Sequence, residues 1–74
     1  MSILPVLAAR AIMRKLLRAG FRILYTKGSH YFFFHPHTKR MTSVLFHGGK
    51  DIGRGLLQKI LKQAGLSAEE FLKL

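Results

Sequence analysis

Seventy-four residues give room for one modest core, and thirteen Lys and Arg against three Asp and Glu leave a net charge of +10. There is no cysteine, which excludes a disulfide framework and a thiolate metal cluster. Three carboxylates are too few for a two-metal nuclease site.

The opening "MSILPVLAARAIMRKLL" has no basic stretch before its apolar run, and Arg10, Arg14 and Lys15 break up the residues after it. No apolar run reaches the roughly 18 residues of a membrane span. Neither a signal peptide nor a membrane anchor is expected, and a reducing compartment suits the chain. Residues 7–19 predict a helix, with Ile12, Leu16 and Ala19 sharing a side and Met13 and Leu17 beside them. No Ser, Thr, Asp or Asn immediately precedes it, although Ser2 and Pro5 lie upstream, so its start is uncapped. Gly20 ends it.

Residues 21–26 alternate Phe21, Ile23 and Tyr25 against Arg22, Leu24 and Thr26, a strand pattern. Lys27-Gly28-Ser29 is a turn. Residues 30–35 predict a second strand, with His30, Phe32 and Phe34 on one side and Tyr31, Phe33 and His35 on the other. Pro36 to Lys39 turn the chain again, and residues 41–46 predict a third strand. Three strands on short links make an antiparallel meander. "HGGKDIGRG" reads as a loop leading to a helix over 56–64, with Leu56 beside Ile60, Leu57, Leu61 and Ala64 adjacent, and Gly65 as its cap. Ser67-x-x-Glu70 has capping-box spacing and predicts a last helix over 68–73 that buries Phe71 and Leu72. The fold class is α+β, ordered α-β-β-β-α plus a terminal helical turn over 1–74 as one unit. Helices cover one sheet face and leave the other to solvent or a partner. Aromatics fall on both strand faces, so an exposed apolar patch is expected.

From Met1 to Ala68 the only acid is Asp51. Such an imbalance is self-repelling and favours a polyanion, nucleic acid first and an acidic protein second. Arg10, Arg14 and Arg18 fall at i, i+4, i+8, one stripe of guanidinium groups suited to phosphate, or simply a solvated face. Lys50, Arg54, Lys59 and Lys62 extend the basic surface, and amides near "GRG" could meet a phosphate. No Walker spacing is present.

Of four histidines, mixed strand faces argue against a metal set. Histidine suits acid–base work near neutral pH, and RNA can be cleaved without metal when its 2′-hydroxyl attacks the adjacent phosphate. His30, close to Lys27 and Ser29, fits two roles: a catalyst, or a strand-mouth residue with a structural hydrogen bond. His47 either contacts phosphate or fixes its loop. His35 and His37 read as exposed and incidental.

Taken together, "GF" (20–21), "KGSH" (27–30), "HP" (35–36) and "HGGKDIGRGLLQKILKQAGLSAEEF" (47–71) resemble the HicA family, the toxins of HicAB toxin–antitoxin pairs, over nearly the whole chain. The resemblance implies a fold like the double-stranded-RNA-binding domain. It implies ribosome-independent cleavage of mRNA with no cofactor, in the cytoplasm. It matches the family's catalytic histidine to His30, and Gly28 and Ser29 to the small residues before it; Lys27, Ser29 and His47 are read from the residues themselves as possible support. The second proton-transfer group is left between His47, Tyr31 and water. A HicB-type antitoxin would block the site, and operator DNA would be met only through it. A non-catalytic RNA-binding module and a domain that binds only an acidic protein are the competing readings. Two departures stand out. Leu45 replaces a common Pro, which would let the third strand run further, and Leu7-Ala8-Ala9 replaces a polar helix cap. The Phe32–Phe34 run, if one side faces outward, is a candidate antitoxin contact.

Overall fold

The computed structural model describes residues 4–74; Ser2, noted above the first helix, lies outside them. The elements are β1 (Leu7–Ala8), α1 (Ala9–Arg18), β2 (Arg22–Lys27), β3 (His30–Phe34), β4 (Met41–Leu45), β5 (Asp51–Ile52), α2 (Arg54–Ala64) and α3 (Ala68–Leu72). The three-stranded antiparallel sheet has the order β2-β3-β4, and β1 pairs with β5 in a separate antiparallel ladder. The expected α+β meander is present.

β3 is the central strand, so its alternation sets both faces. Phe33 is fully buried, and Tyr31 packs against the core on the same side. Val44 and Thr42 of β4 are their partners and are also buried. Onto this face α1 brings Ala9, Ile12 and Leu16, α2 brings Leu57, Ile60, Leu61 and Ala64, and α3 brings Phe71. Each large apolar side chain so buried contributes roughly 1.5–3 kcal/mol. Thr42, the one buried polar residue among those described, donates its hydroxyl to Gln63 Oε1 at 2.9 Å.

Several boundaries differ from the sequence reading. Leu7 and Ala8 are not helical: they pair with Ile52 and Asp51, and this pairing clips the start of α1 to the approach of α2. The glycine-rich segment is therefore not all loop, and α2 begins at Arg54, two residues earlier than expected. Ala8 caps α1 without any side-chain hydrogen bond, as its uncapped start implied. Leu17, Leu56 and Leu72 point outward rather than into the core, because the buried stripes run through Ile12–Leu16, Leu57–Ile60–Leu61 and Phe71. The third strand stops at Leu45, although Phe46 N–H still donates to the Ser29 carbonyl at 2.8 Å.

β2 breaks the simple alternation. Its register against β3 shifts between Ile23 and Tyr25, so Leu24 is an extra residue. Arg22 and Tyr25, expected on opposite sides, therefore lie on the same one, opposite Phe34 and Phe32. The whole strand is exposed, as an edge strand without a helix over it.

Gly20 turns the chain from α1 into β2 with φ +103°, and a Cβ there would meet His35 Nε2 at 2.8 Å. Both the backbone and the space require glycine. Gly20→Ala is expected to destabilise the protein by roughly 2–4 kcal/mol in urea unfolding, from backbone strain plus lost His35 hydrogen bonds.

At α3 the capping box is complete: Ser67 N–H donates to Glu70 Oε1 and Glu70 N–H donates to Ser67 Oγ, both at 3.0 Å. The Ser67 backbone N–H first, and the Ser67 side chain second, hold the Glu70 carboxyl below its ordinary pKa against slight desolvation. A carboxyl lowered in the folded state stabilises fully above its unfolded pKa, and that contribution is lost as pH falls through the folded value. The protection factor of the Phe71 amide, its exchange rate corrected for the intrinsic pH dependence, is thus expected to fall on acidification through and below the usual glutamate range, and Glu70→Gln to flatten that dependence.

Candidate functional site

The two-residue loop Gly28-Ser29 joins β2 to β3 and makes Lys27 and His30 direct cross-strand partners. Gly28 has φ +59°, the left-handed conformation that such a tight hairpin needs. Partners across a ladder project to the same side. The Lys27 ammonium and the His30 imidazole therefore share the face that the helices leave open, and both residues are exposed. Leu45 is the β4 partner of His30 on that face.

His47 comes to the same corner. It follows β4, and its Nδ1 lies 3.4 Å from Ser29 Oγ. With Nδ1 engaged, Nε2 is the ring nitrogen left to exchange a proton. Lys50 N–H donates to the His47 carbonyl at 3.2 Å, closing the turn that carries both residues. The structure thus gathers Lys27, Ser29, His30 and His47 at one corner of the sheet. Tyr31 is directed away from it, toward Phe46, with the ring centroids 5.8 Å apart.

The basic residues distribute unevenly around this corner. Arg10 stacks over the Phe46 ring at 5.8 Å, so the first turn of α1 stands beside the end of β4. Arg14 and Arg18 are exposed and follow α1 toward the opposite end of the sheet. Lys50 is exposed in the β4–β5 turn, next to the β1–β5 clip. Arg54 donates from Nε to the Leu4 carbonyl, which ties down the N-terminal segment, and Lys59 is exposed on α2. Lys15, by contrast, donates to the Leu74 carbonyl at 2.9 Å and serves the fold.

His35 is not incidental. It is half-buried, packs edge-on to Phe21 with centroids 5.1 Å apart, and lies 3.2 Å by Nε2 from the Ala19 carbonyl. Its Nδ1 accepts from the backbone N–H groups of His37 and Thr38 at 3.2 and 3.3 Å. This pattern fits the neutral tautomer carrying its proton on Nε2, so His35 locks the β3–β4 turn onto the end of α1. His37 is exposed, as expected.

Sequence reading missed Arg22, Tyr25 and Lys39 as members of the open face. The bulge at Leu24 that re-aims Tyr25 onto the side of Arg22 leaves no periodic signal, and Lys39 reaches Phe34 (5.9 Å to the ring centroid) only through the turn geometry. Among the described residues no three His, Asp or Glu side chains gather as a metal-holding group, and no helix is long and apolar enough to cross a membrane.

The family model described as the HicA toxin of bacterial toxin–antitoxin matches residues 9–66, which include α1, the whole three-stranded sheet, the corner and α2. No curated protein matches the chain.

The hydrogen bonding sorts the histidines. His35→Ala is expected to destabilise by about 1–3 kcal/mol, since it orphans three backbone partners. His30→Ala and His47→Ala should each stay within about 0.5 kcal/mol of the parent, as exposed substitutions do. Urea unfolding of the three variants checks this ordering.

Proposed function

The chain belongs to the HicA toxin family, the toxins of bacterial toxin–antitoxin systems, and from that premise we propose that it is an endoribonuclease whose acid–base chemistry resides at the Lys27–His30 corner. The observation that carries the reading is the cross-strand pairing of an exposed lysine with an exposed histidine on the open sheet face. The first can bind and neutralise a phosphate, and the second can move a proton near neutral pH.

In the proposed reaction the ribose 2′-oxygen bonds to the adjacent phosphorus as its proton passes to a base. The bond from phosphorus to the 5′-oxygen then breaks as that oxygen receives a proton. The products are a 2′,3′-cyclic phosphate and a free 5′-hydroxyl. His30 takes one of the two proton transfers. His47, held through Nδ1 by Ser29, is the better second group than Tyr31, which faces the core. Lys27 stabilises the charge that accumulates on the phosphorane. All of this runs without a metal, in keeping with a chain that has three carboxylates in total. Arg10, Lys50 and Lys59 draw the polyanion toward the corner, with Arg14 and Arg18 lengthening the basic track and Arg54 adding charge beside it.

The membership implies an antitoxin partner. A HicB-type antitoxin that covers the corner would silence the enzyme, and its own operator binding would be the route to DNA. The cytoplasm, where mRNA is the substrate, is the matching compartment. A non-catalytic RNA-binding module shares the charge and the fold but has no use for an exposed His–Lys pair.

The deciding experiment is cleavage of a single-stranded RNA by the purified chain in excess EDTA, beside His30→Ala. The expected result is cyclic-phosphate ends from the parent and a loss of at least about a hundredfold in rate for the variant, with RNA affinity kept. Equal cleavage by the variant, or none by the parent, would overturn the reading.

A further inference from the structure

The open face of the sheet carries an order that the chemistry at the corner does not use. Across the strands its side chains fall in three rows: Lys27, His30 and Leu45, then Tyr25, Phe32 and Ser43, then Arg22, Phe34 and Met41. Along β3 the rows make an aromatic column, His30–Phe32–Phe34. Along β2 a cation stands at each end of the column, Lys27 beside His30 and Arg22 beside Phe34. Lys39 adds a third, 5.9 Å from the Phe34 ring centroid. None of these positions is acidic.

The middle row is a preformed stack. The Tyr25 and Phe32 rings lie 4.5 Å apart at 14°, on a surface where Tyr25 is 49 % exposed. The next ring, His30, is centred 6.4 Å from Phe32. The bulge at Leu24 creates this arrangement, for without it Tyr25 would fall on the helix side with Ile23. Successive rows are about 7 Å apart along the strand, a spacing that suits successive bases of an extended single strand rather than the closer stack of a duplex.

Flat π-faces bordered by cations match a nucleobase with its phosphate alongside. An apolar peptide would leave Lys27, Arg22 and Lys39 unused, and an acidic peptide would leave the stacked rings unused. We propose that Tyr25, Phe32 and Phe34 form a stacking platform for unpaired RNA bases, which seats the nucleotides flanking the phosphodiester at His30. The proposal rests on the ribonuclease reading for the direction of the strand. It adds to that reading how the strand is held, by its bases and with little sequence preference, and it excludes duplex RNA, whose bases are already stacked.

The test measures fluorescence anisotropy of a labelled, unstructured 2′-O-methyl RNA, which lacks the attacking hydroxyl, with the full chain and its Phe32→Leu and Tyr25→Leu variants. A matched oligonucleotide with abasic sites at its centre is the second probe. Tyr25 is exposed and Phe32 half-buried on the open face, and urea unfolding verifies that each variant is folded. The parent is expected to bind the base-containing strand more tightly than the abasic one. Each variant should lose about ten- to a hundredfold in affinity for the former and change little toward the latter. Equal affinity for the two probes, or unchanged affinity in both variants, overturns the platform. So does a variant that keeps RNA affinity yet loses antitoxin binding, which would assign the face to protein. The two readings can fail separately. If the parent cleaves RNA in EDTA while the variants bind RNA unchanged, only the platform falls. If the parent cleaves nothing while ring-dependent binding persists, only the ribonuclease falls.

Discussion

The placement of every residue at the candidate corner depends on the burial of Phe33. It is fully enclosed in the middle strand of the sheet, and side chains alternate along a strand. Fixing Phe33 inward therefore fixes His30, Phe32 and Phe34 outward. A one-residue slip of β3 would put His30 against α1 and α2 and expose Phe33 to water. The register of an apolar core thus sets the position of a histidine that itself packs against little. The tight Gly28-Ser29 loop supplies the second constraint, because a two-residue hairpin leaves Lys27 no position except opposite His30.

Charge supplies a different kind of specification. Thirteen basic residues meet three acids, two of which are spent at α3, where Glu70 completes the cap. The fold therefore has few internal partners for its cations. Lys15 and Arg54 bond backbone carbonyls, and Arg10 and Lys39 lie over aromatic rings. Those roles anchor the aliphatic stems and leave net charge for a polyanion. Under the proposed function, the same surplus would make RNA and an antitoxin alternative occupants. Whatever neutralises the corner competes for it.

The sequence made the meander, both main helices and the capping box legible, since each has a local period or a cap with a mechanism. Its resemblance to a toxin family singled out His30, and the family match over residues 9–66 agrees with that resemblance. What stayed hidden has no period. β1 and β5 are two residues each and exist only through each other. The bulge at Leu24 is a property of the β2–β3 pair rather than of β2, so the alternation of residues 21–26 misplaced Tyr25. His35 looked incidental because its partners, the Ala19 carbonyl and two amides of the next turn, become neighbours only when α1 and β3 pack. The one signal available was Gly20, whose lack of a side chain makes room for the ring. Leu17 and Leu56 were read inward because helix periodicity marks a stripe but not its edges.

The central claim is that the corner promotes attack by the ribose 2′-hydroxyl of single-stranded RNA. The most direct measurement maps the cleaved bond in an RNA, then replaces the single ribose on its 5′ side with 2′-deoxyribose. Cleavage at that bond is expected to disappear while other sites in the same strand are cut as before. Undiminished cutting at the deoxy position would contradict the account.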